Sequence, residues 1–600
     1  MIRTLALAAL LLASASAHAR LQVAPSPGLA PAERQATEAL LAEAGSRLPA
    51  AWIEALDRPI ALEWRDDLPE GVHGRATHWR ILLDRRLLRE TSAHTTSPAA
   101  DAPASPALAA LLHELAHLYD RTPAGGLSRD PRLLDLAGWQ VAVPGPRRSG
   151  RNRFSDRSPD AYELASPREF VAVNLEHYLL DPEYACRRPQ LAAYFDAHFG
   201  HAPPGRAACE AELAFVQDPA AGATPLQLLD PARIHAVDYL LAEGGEGLAS
   251  RWGHAMLRLV VCAPGRAPGP DCRLDLQHHL VLSFRAFVDD LQISSWRGLA
   301  GGYPSRLYVL PLEQVVDEYT RVELRDLRSL PLALDADERT ALARRAARLH
   351  WSYDGRYRFI DNNCAVETWK LLHDALPRLA ALPLRSITPH GLGRRLKGQG
   401  LLDLAAIPAD ADQQLRLGFR FESAGAHYAE LYAVAREELQ LEPADAGAWM
   451  ESSPAARAEA VNRAGLRGAA ALLVLETAAL RREQALARDQ LKRRWLRRAG
   501  DPGLVAELRQ FLQAGDAFGR PASWLDGLGG YGLPQAGERM QLQARLAEAG
   551  ERRHRGARQL EQRVRELLPA VRRTRLVGTE ANLARLGDRL RVLAEQAQAE

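Results

Sequence analysis

The chain has 600 residues, more than one hydrophobic core accommodates, with 47% apolar and 25% charged residues and a formal net charge of +2. It therefore reads as a folded, multidomain protein. Its basic residues are almost all arginine, lysine occurring only at Lys370, Lys397 and Lys492, and no segment gathers them into a basic face with interleaved aromatics, which argues against nucleic acid as a partner.

The N-terminus, MIRTLALAALLLASASAHAR, combines a basic Arg3, an apolar run from Leu5 to Ala13 and the small-x-small triplet Ala17-His18-Ala19. This predicts a signal peptide over residues 1–19 and a mature chain beginning near Arg20. No later window offers the ~18 uninterrupted apolar residues of a membrane span, and no cysteine stands directly after the cleavage site. The expected location is the periplasm or the exterior, where disulfides form. Cys186 and Cys209 flank a Pro-rich loop and Cys262 and Cys272 flank the turn APGRAPGPD. Two local bridges are expected, and Cys364 is left over as a candidate reactive thiol.

Three regions follow the signal peptide. Over residues 20–220 the pattern is mixed α/β: an amphipathic helix near Pro31–Leu48, strand-like RPIALEW and WRILLD, a Ser/Thr/Ala/Pro loop from Thr91 to Pro106, and an apolar helix containing LLHELAHLYD. Residues 228–402 form a second mixed unit, with β-type runs GHAMLRLVVC, HHLVLSFRAF and RLYVLPL, a helix from Asp335 to about Trp351 and a helix opened by Cys364. Residues 403–600 place Ala and Leu at helical spacing opposite Arg and Glu and read as helical hairpins, interrupted by the Gly-rich loop WLDGLGGYGLPQAG.

His113 and His117 stand four apart on one helix face and can present ring nitrogens to one zinc ion, with Glu114 between them as general base toward water. A third ligand is needed. Glu169, Glu176 and His177 recur at helical spacing on DAYELASPREFVAVNLEHYLLDPEY. Ser166-Pro167-Arg168-Glu169 also reads as a capping box, in which Glu169 only caps a helix.

HELAH, followed by Tyr162 and then by Glu169-Phe170-Val171-Ala172, resembles the zinc peptidases related to anthrax lethal factor. The resemblance implies a zincin-like fold, zinc held by His113, His117 and Glu169, Glu114 as general base and Tyr162 as donor beside the scissile carbonyl. It covers under a third of the chain and departs from the pattern at Val173, where those enzymes repeat a glutamate.

Cys364 follows Asn362-Asn363 and opens an apolar helix, where the helix dipole favours a thiolate. His254, after Gly253 at a strand entry, is the candidate base. The ordered blocks SRWGHAMLRL, RGLAGGYPSRLYVLPL, EYTRVELRDLRSLPLAL and YRFIDNNCAVETWKLL resemble the N-terminal periplasmic domain of the bacterial lipoprotein N-acyltransferase Lnb and its relatives, over roughly Asp238 to Leu372. That resemblance implies a circularly permuted papain-like fold with catalytic His254 and Cys364. A third polar group would be His279 or His278, which strand alternation points to opposite faces, with His279 favoured. Lnb carries further membrane helices, which are not expected here.

Three readings follow: a Cys/His hydrolase or acyltransferase of the cell envelope with a zinc site beside it; a zinc metallopeptidase with the Lnb-like region as recognition module; or a scaffold whose C-terminal helices bind a partner. The expected substrates are envelope proteins, peptides, lipoproteins or cell-wall material.

Overall fold

The computed structural model describes residues 21–88, 105–141, 148, 150, 152–154, 156–218, 224–245, 251–287, 303–353, 355–385, 387–497 and 517–599. The expected signal peptide and most of the Thr91–Pro106 loop lie outside the described residues. Among the described residues no helix is long and apolar enough to cross a membrane. The chain divides into two compact units, residues 1–210 with Gly530–Gln535, and residues 211–529 with 536–600. The Lnb-like region and the helical C-terminal region, expected as separate domains, thus fall in one compact unit.

The first unit is built on a four-stranded sheet in the order β1 (Val23–Pro25), β2 (Ile60–Arg65), β4 (Arg80–Asp84), β3 (Gly74–Thr77). β1, β2 and β4 are parallel, while the edge strand β3 runs antiparallel to β4. Alternation sets the faces: Ile60, Leu62 and Trp64 of β2 are buried while Ala61 and Arg65 are exposed. Helix α1 (Pro31–Arg47) buries Thr37, Leu40 and Ala44.

Helix α2 (Pro106–Asp120) starts where Ser105 accepts the Leu108 N–H at 3.2 Å and Pro106 occupies the first helical position. It is buried along almost its whole length, but His113 and His117 are not fully covered. It packs on β3, β4 and helix α3 (Pro167–Leu180). Trp52, Tyr119 of α2 and Phe199 at the end of helix α4 (Pro189–Phe199) form a triangle of rings in this core, with centroids 4.8, 5.8 and 5.7 Å apart.

The second unit contains two sheets. A short pair, β5 (Leu213–Val216) and β6 (Leu226–Leu229), stands beside a wholly antiparallel sheet of seven strands. The latter comprises β7 (Ile234–Ala242), β8 (His254–Val261), β9 (Leu280–Ala286), β10 (Tyr303–Pro311), β11 (Leu327–Pro331), β12 (Gly355–Tyr357) and β13 (Arg420–Phe421), ordered β12-β10-β9-β8-β7-β11-β13. Helix α5 (Ala336–Ser352) opens with a reciprocal capping box between Asp335 and Glu338. Helix α6 (Cys364–Ala375) packs on α5, β8 and β9.

Beyond these, α7 (Ala424–Leu439), α8 (Pro454–Arg463), α9 (Leu466–Arg497), α10 (Ala536–Leu567) and α11 (Ala570–Ala599) form the helical region. α9 packs against α7 and α11. The fully buried Arg457 of α8 bonds Glu476 of α9 at 2.5 Å and Thr579 of α11 at 3.0 Å, so a paired charge ties three helices together.

Both expected disulfides are present, Cys186–Cys209 with Cα atoms 5.1 Å apart and Cys262–Cys272 with Cα atoms 4.5 Å apart; Cys364 is free. Each closes a short loop and stabilises the fold by about 3 kcal/mol through the unfolded chain. Peptide mapping without reductant is expected to recover both linked pairs and an unlinked Cys364 peptide. A bridge containing Cys364 in the folded protein would contradict this pairing.

Candidate functional site

The chemistry-bearing residues of the first unit converge between α2 and α3. The Nε2 atoms of His113 and His117 lie 3.5 and 3.1 Å from Glu169 Oε2. One ligand atom from each of the three residues lies within 4.8 Å of the others. Ser166 does cap α3, accepting the Glu169 N–H at 3.3 Å, but the Glu169 carboxylate turns toward the histidines. Only the serine half of the expected capping box is formed: the Glu169 N–H bonds Ser166 while its side chain joins the cluster instead of reaching back to the N-cap.

His113 Nδ1 is 3.2 Å from Glu176 Oε2. A proton on Nδ1, donated to Glu176, leaves the Nε2 lone pair facing the buried Glu169 oxygen. Acceptors aimed at one another need a cation between them, either a proton or a metal ion. Burial alone would lower the His113 pKa, but Glu169 and Glu176, with Glu114 behind them, raise it to about 9. Burial would raise that of Glu169, but His113 and His117 hold it down at about 2. Two imidazole nitrogens and one carboxylate oxygen are a donor set suited to zinc, so the residues fit the metal. Glu176 is the nearest counterpart here of the support missing at Val173.

Glu114 is buried, and burial raises its pKa against the pull of His113, His117 and the backbone N–H of Ala76. Its Oε2 has no hydrogen-bond partner. β3 closes over it: a Cβ on Gly74 would stand 2.8 Å from both Cγ and Oε1 of Glu114, so this close approach admits only glycine. Arg121 of the segment after α2 donates to the Ala76 carbonyl at 3.1 Å and holds the same strand. Tyr162, 55% exposed, lies where the Glu169 charge, followed by burial, raises its pKa, so the phenol keeps its proton at neutral pH. His177 faces away from the cluster, its ring packed edge-on to Tyr531.

In the second unit, Asn363 caps α6 by accepting the N–H groups of Ala365 at 3.0 Å and Val366 at 3.1 Å. Cys364, the first helical residue, is 4% exposed. Burial raises its pKa and outweighs the hydrogen bonds from Ala255, Tyr357, Ala365 and its own backbone that lower it. The expected depression of the thiol pKa by the helix start is therefore reversed, because desolvation is the larger effect. His254 Nε2 lies 3.0 Å from Ser283 Oγ and its ring stacks on Tyr319. Burial, then Arg285 and Arg325, lower its pKa to about 3. Among the described residues no hydrogen bond joins His254 to Cys364.

His279 does not orient His254. Its Nδ1 accepts from Arg258 at 2.8 Å and its Nε2 donates to the Cys272 carbonyl at 2.8 Å, within a buried network that includes Asp238 and Arg273. His278 ends a short 3-10 turn before β9. The group beside His254 is Ser283, farther along β9, which the histidine-centred reading of LQHHLVLSF passed over. Iodoacetamide is expected to modify Cys364 more slowly in the native than in the unfolded protein, since burial both covers the sulfur and disfavours the thiolate. Equal rates in the two states would show the thiol to be accessible.

Residues 20–125 and 124–208 match a family model described as Domain of unknown function (DUF7844). Residues 223–396 match that of the Lnb N-terminal periplasmic domain, a stretch that includes His254, Ser283 and Cys364. No curated protein and no solved structure matches the chain.

Proposed function

We propose that this is an exported envelope protein whose working centre is the cluster His113, His117 and Glu169, a zinc-dependent peptidase site in a zincin-like unit. The observation that carries the reading is the meeting of those three ligand atoms beside a buried, unpaired Glu114 oxygen. His113, His117 and Glu169 would hold the metal, and when bound it would supply Lewis-acid polarisation of a carbonyl. Glu114 takes a proton from the attacking water. Tyr162 donates a hydrogen bond to the oxygen that gains charge, and Glu176 fixes the His113 tautomer. An antiparallel edge strand beside the base suits a peptide lying extended along β3.

On this reading the Lnb-like region recognises the substrate, an envelope protein, a lipoprotein or a cell-wall peptide, and the C-terminal helices offer a surface for a partner. The match to a periplasmic domain family and the two disulfides support the location.

One observation favours a second reading. The Cys364 sulfur receives hydrogen bonds from the backbone N–H groups of Ala255, Cys364 and Ala365 at a helix start, a setting that favours a thiolate nucleophile in a permuted papain-like fold. Acyl hydrolysis or transfer at Cys364, with His254 as base, would then follow a rearrangement that uncovers the thiol.

Metal analysis tests the first reading. The mature protein is expected to retain about one zinc per chain after dialysis, and His113→Ala and Glu169→Ala are expected to lose it. Undiminished zinc in Glu169→Ala would reduce that residue to a helix cap and remove the reading.

A further inference from the structure

We infer that the first unit contains a receptor for the strap Gly530–Gln535, and that seating Tyr531 in it holds the ligand-bearing helix α3 in place for the zinc cluster. The strap comes from the Gly-rich interruption of the helical region, more than three hundred residues along the chain from the unit whose core it joins.

The receptor engages the turned backbone of the strap and one aromatic ring. The Gly532 N–H donates to the Arg157 carbonyl at 3.0 Å and the Leu533 N–H to the Arg187 carbonyl at 2.9 Å. In return Arg157 Nε donates to the Gly532 carbonyl at 3.1 Å and Arg187 Nη1 to the Tyr531 carbonyl at 3.2 Å. Main-chain bonds of this kind supply affinity, and the side-chain pocket supplies specificity. The Tyr531 ring has the Arg187 and Arg188 guanidinium groups each 5.3 Å from its centroid, and its hydroxyl donates to Asp181 Oδ2 at 2.5 Å. Gly532 is required as well, since it has φ +59° and a Cβ there would sit 2.3 Å from the Arg187 carbonyl oxygen. The receptor thus reads Tyr-Gly.

What the ring touches connects it to the cluster. His177, packed against it at 5.2 Å, follows Glu176 on α3, and Asp181 is the C-cap of that helix. Arg188 reaches from the ring to Asn174, in the middle of α3, at 2.5 Å. The strap therefore contacts the last turn of the helix directly and its middle through one guanidinium, while Glu169 and Glu176 project from the same helix toward the histidines. Without Tyr531, two guanidinium groups and a carboxylate face a ring-sized void, which only movement of α3 or entry of water can fill.

The test uses the full chain and two readouts, and only the metal readout rests on the function proposed above. In Tyr531→Ala, amide hydrogen exchange over residues 167–180 is expected to accelerate by about 100-fold or more, the scale of removing a buried ring, while residues 336–375 keep their protection. Zinc affinity, measured against a chromogenic chelator, is expected to fall by about 10–100-fold. Tyr531→Phe, which keeps the ring and loses only the Asp181 bond, should lie between this variant and the parent. A synthetic peptide covering residues 528–536 should restore protection to Tyr531→Ala, and its own Tyr-to-Ala version should not. Unchanged exchange over 167–180, or equal loss over 336–375, overturns the strap. Loosened exchange with unchanged zinc affinity overturns its link to the cluster. A parent chain that holds no zinc overturns the proposed function and leaves exchange to decide the strap.

Discussion

Glu114→Gln is expected, on the function proposed, to leave the zinc content of the full chain unchanged and to lower peptide hydrolysis by about 10²–10⁴-fold. The expectation follows from what glutamine keeps and what it removes. Shape is kept, and so is the amide oxygen that can accept the Ala76 N–H now shared with the carboxylate. Basicity is lost, and it is the basicity of Glu114 that burial has raised. None of the three metal ligands changes, so zinc stays. Gly74→Ala approaches the same group from the strand: the new Cβ, 2.8 Å from Cγ and Oε1, must push Glu114 or β3 aside. Hydrolysis should fall there too, with zinc retained. Parental hydrolysis by Glu114→Gln would show that another group activates water, and loss of zinc would show that Glu114 binds the metal or supports its ligands.

How much of this could be read in advance depended on how local the signal was. The apolar run around HELAH marked its helix, and the spacing of His113 and His117 needed nothing but helical geometry, although Ser105 and Pro106, where the helix starts, read in the sequence as the end of a loop. The helices near Pro31 and Asp335, and the strands containing His254 and Leu307, carried equally local patterns. β3 did not: Gly74-Arg75-Ala76-Thr77 is too short and too polar to stand out, and its place is set by pairing with β4 through a turn in which His78 and Trp79 have φ +30° and +61°. The relation of Glu169 to the histidines joins two helices, so spacing within either could rank Glu169 and Glu176 only as alternatives. The structure gives them different partners, His117 Nε2 for one and His113 Nδ1 for the other. At Cys364 the helix start was legible, but the burial that outweighs it comes from strands distant in sequence. The strap was least legible of all, because glycines in WLDGLGGYGLPQAG signal a loop and say nothing of what receives it.

Arg188→Met is expected to destabilise the first unit by about 3–5 kcal/mol, because it removes a cation paired with a buried carboxylate. Arg188 and Glu163 are about 1% and 2% exposed, joined by two parallel bonds of 2.7 Å. Methionine matches the length of the arginine stem but offers Glu163 no donor. Ser158 Oγ at 2.7 Å and Asn174 Nδ2 at 2.9 Å also donate to it, and neither carries charge. The double variant Glu163→Leu with Arg188→Met should be the more stable protein, since two apolar side chains replace an ion pair whose desolvation already offsets much of its attraction. Urea unfolding of the two variants, followed by a probe in the first unit, distinguishes these outcomes. The same pair has a functional side: Glu163 directly follows Tyr162, and Arg188 also holds Asn174 of α3. Even a stable double variant should therefore hydrolyse poorly, with Tyr162 and Glu169 no longer held in common register. A single variant within about 1 kcal/mol of the parent would mean that the pair supplies no stability beyond that of an exposed one.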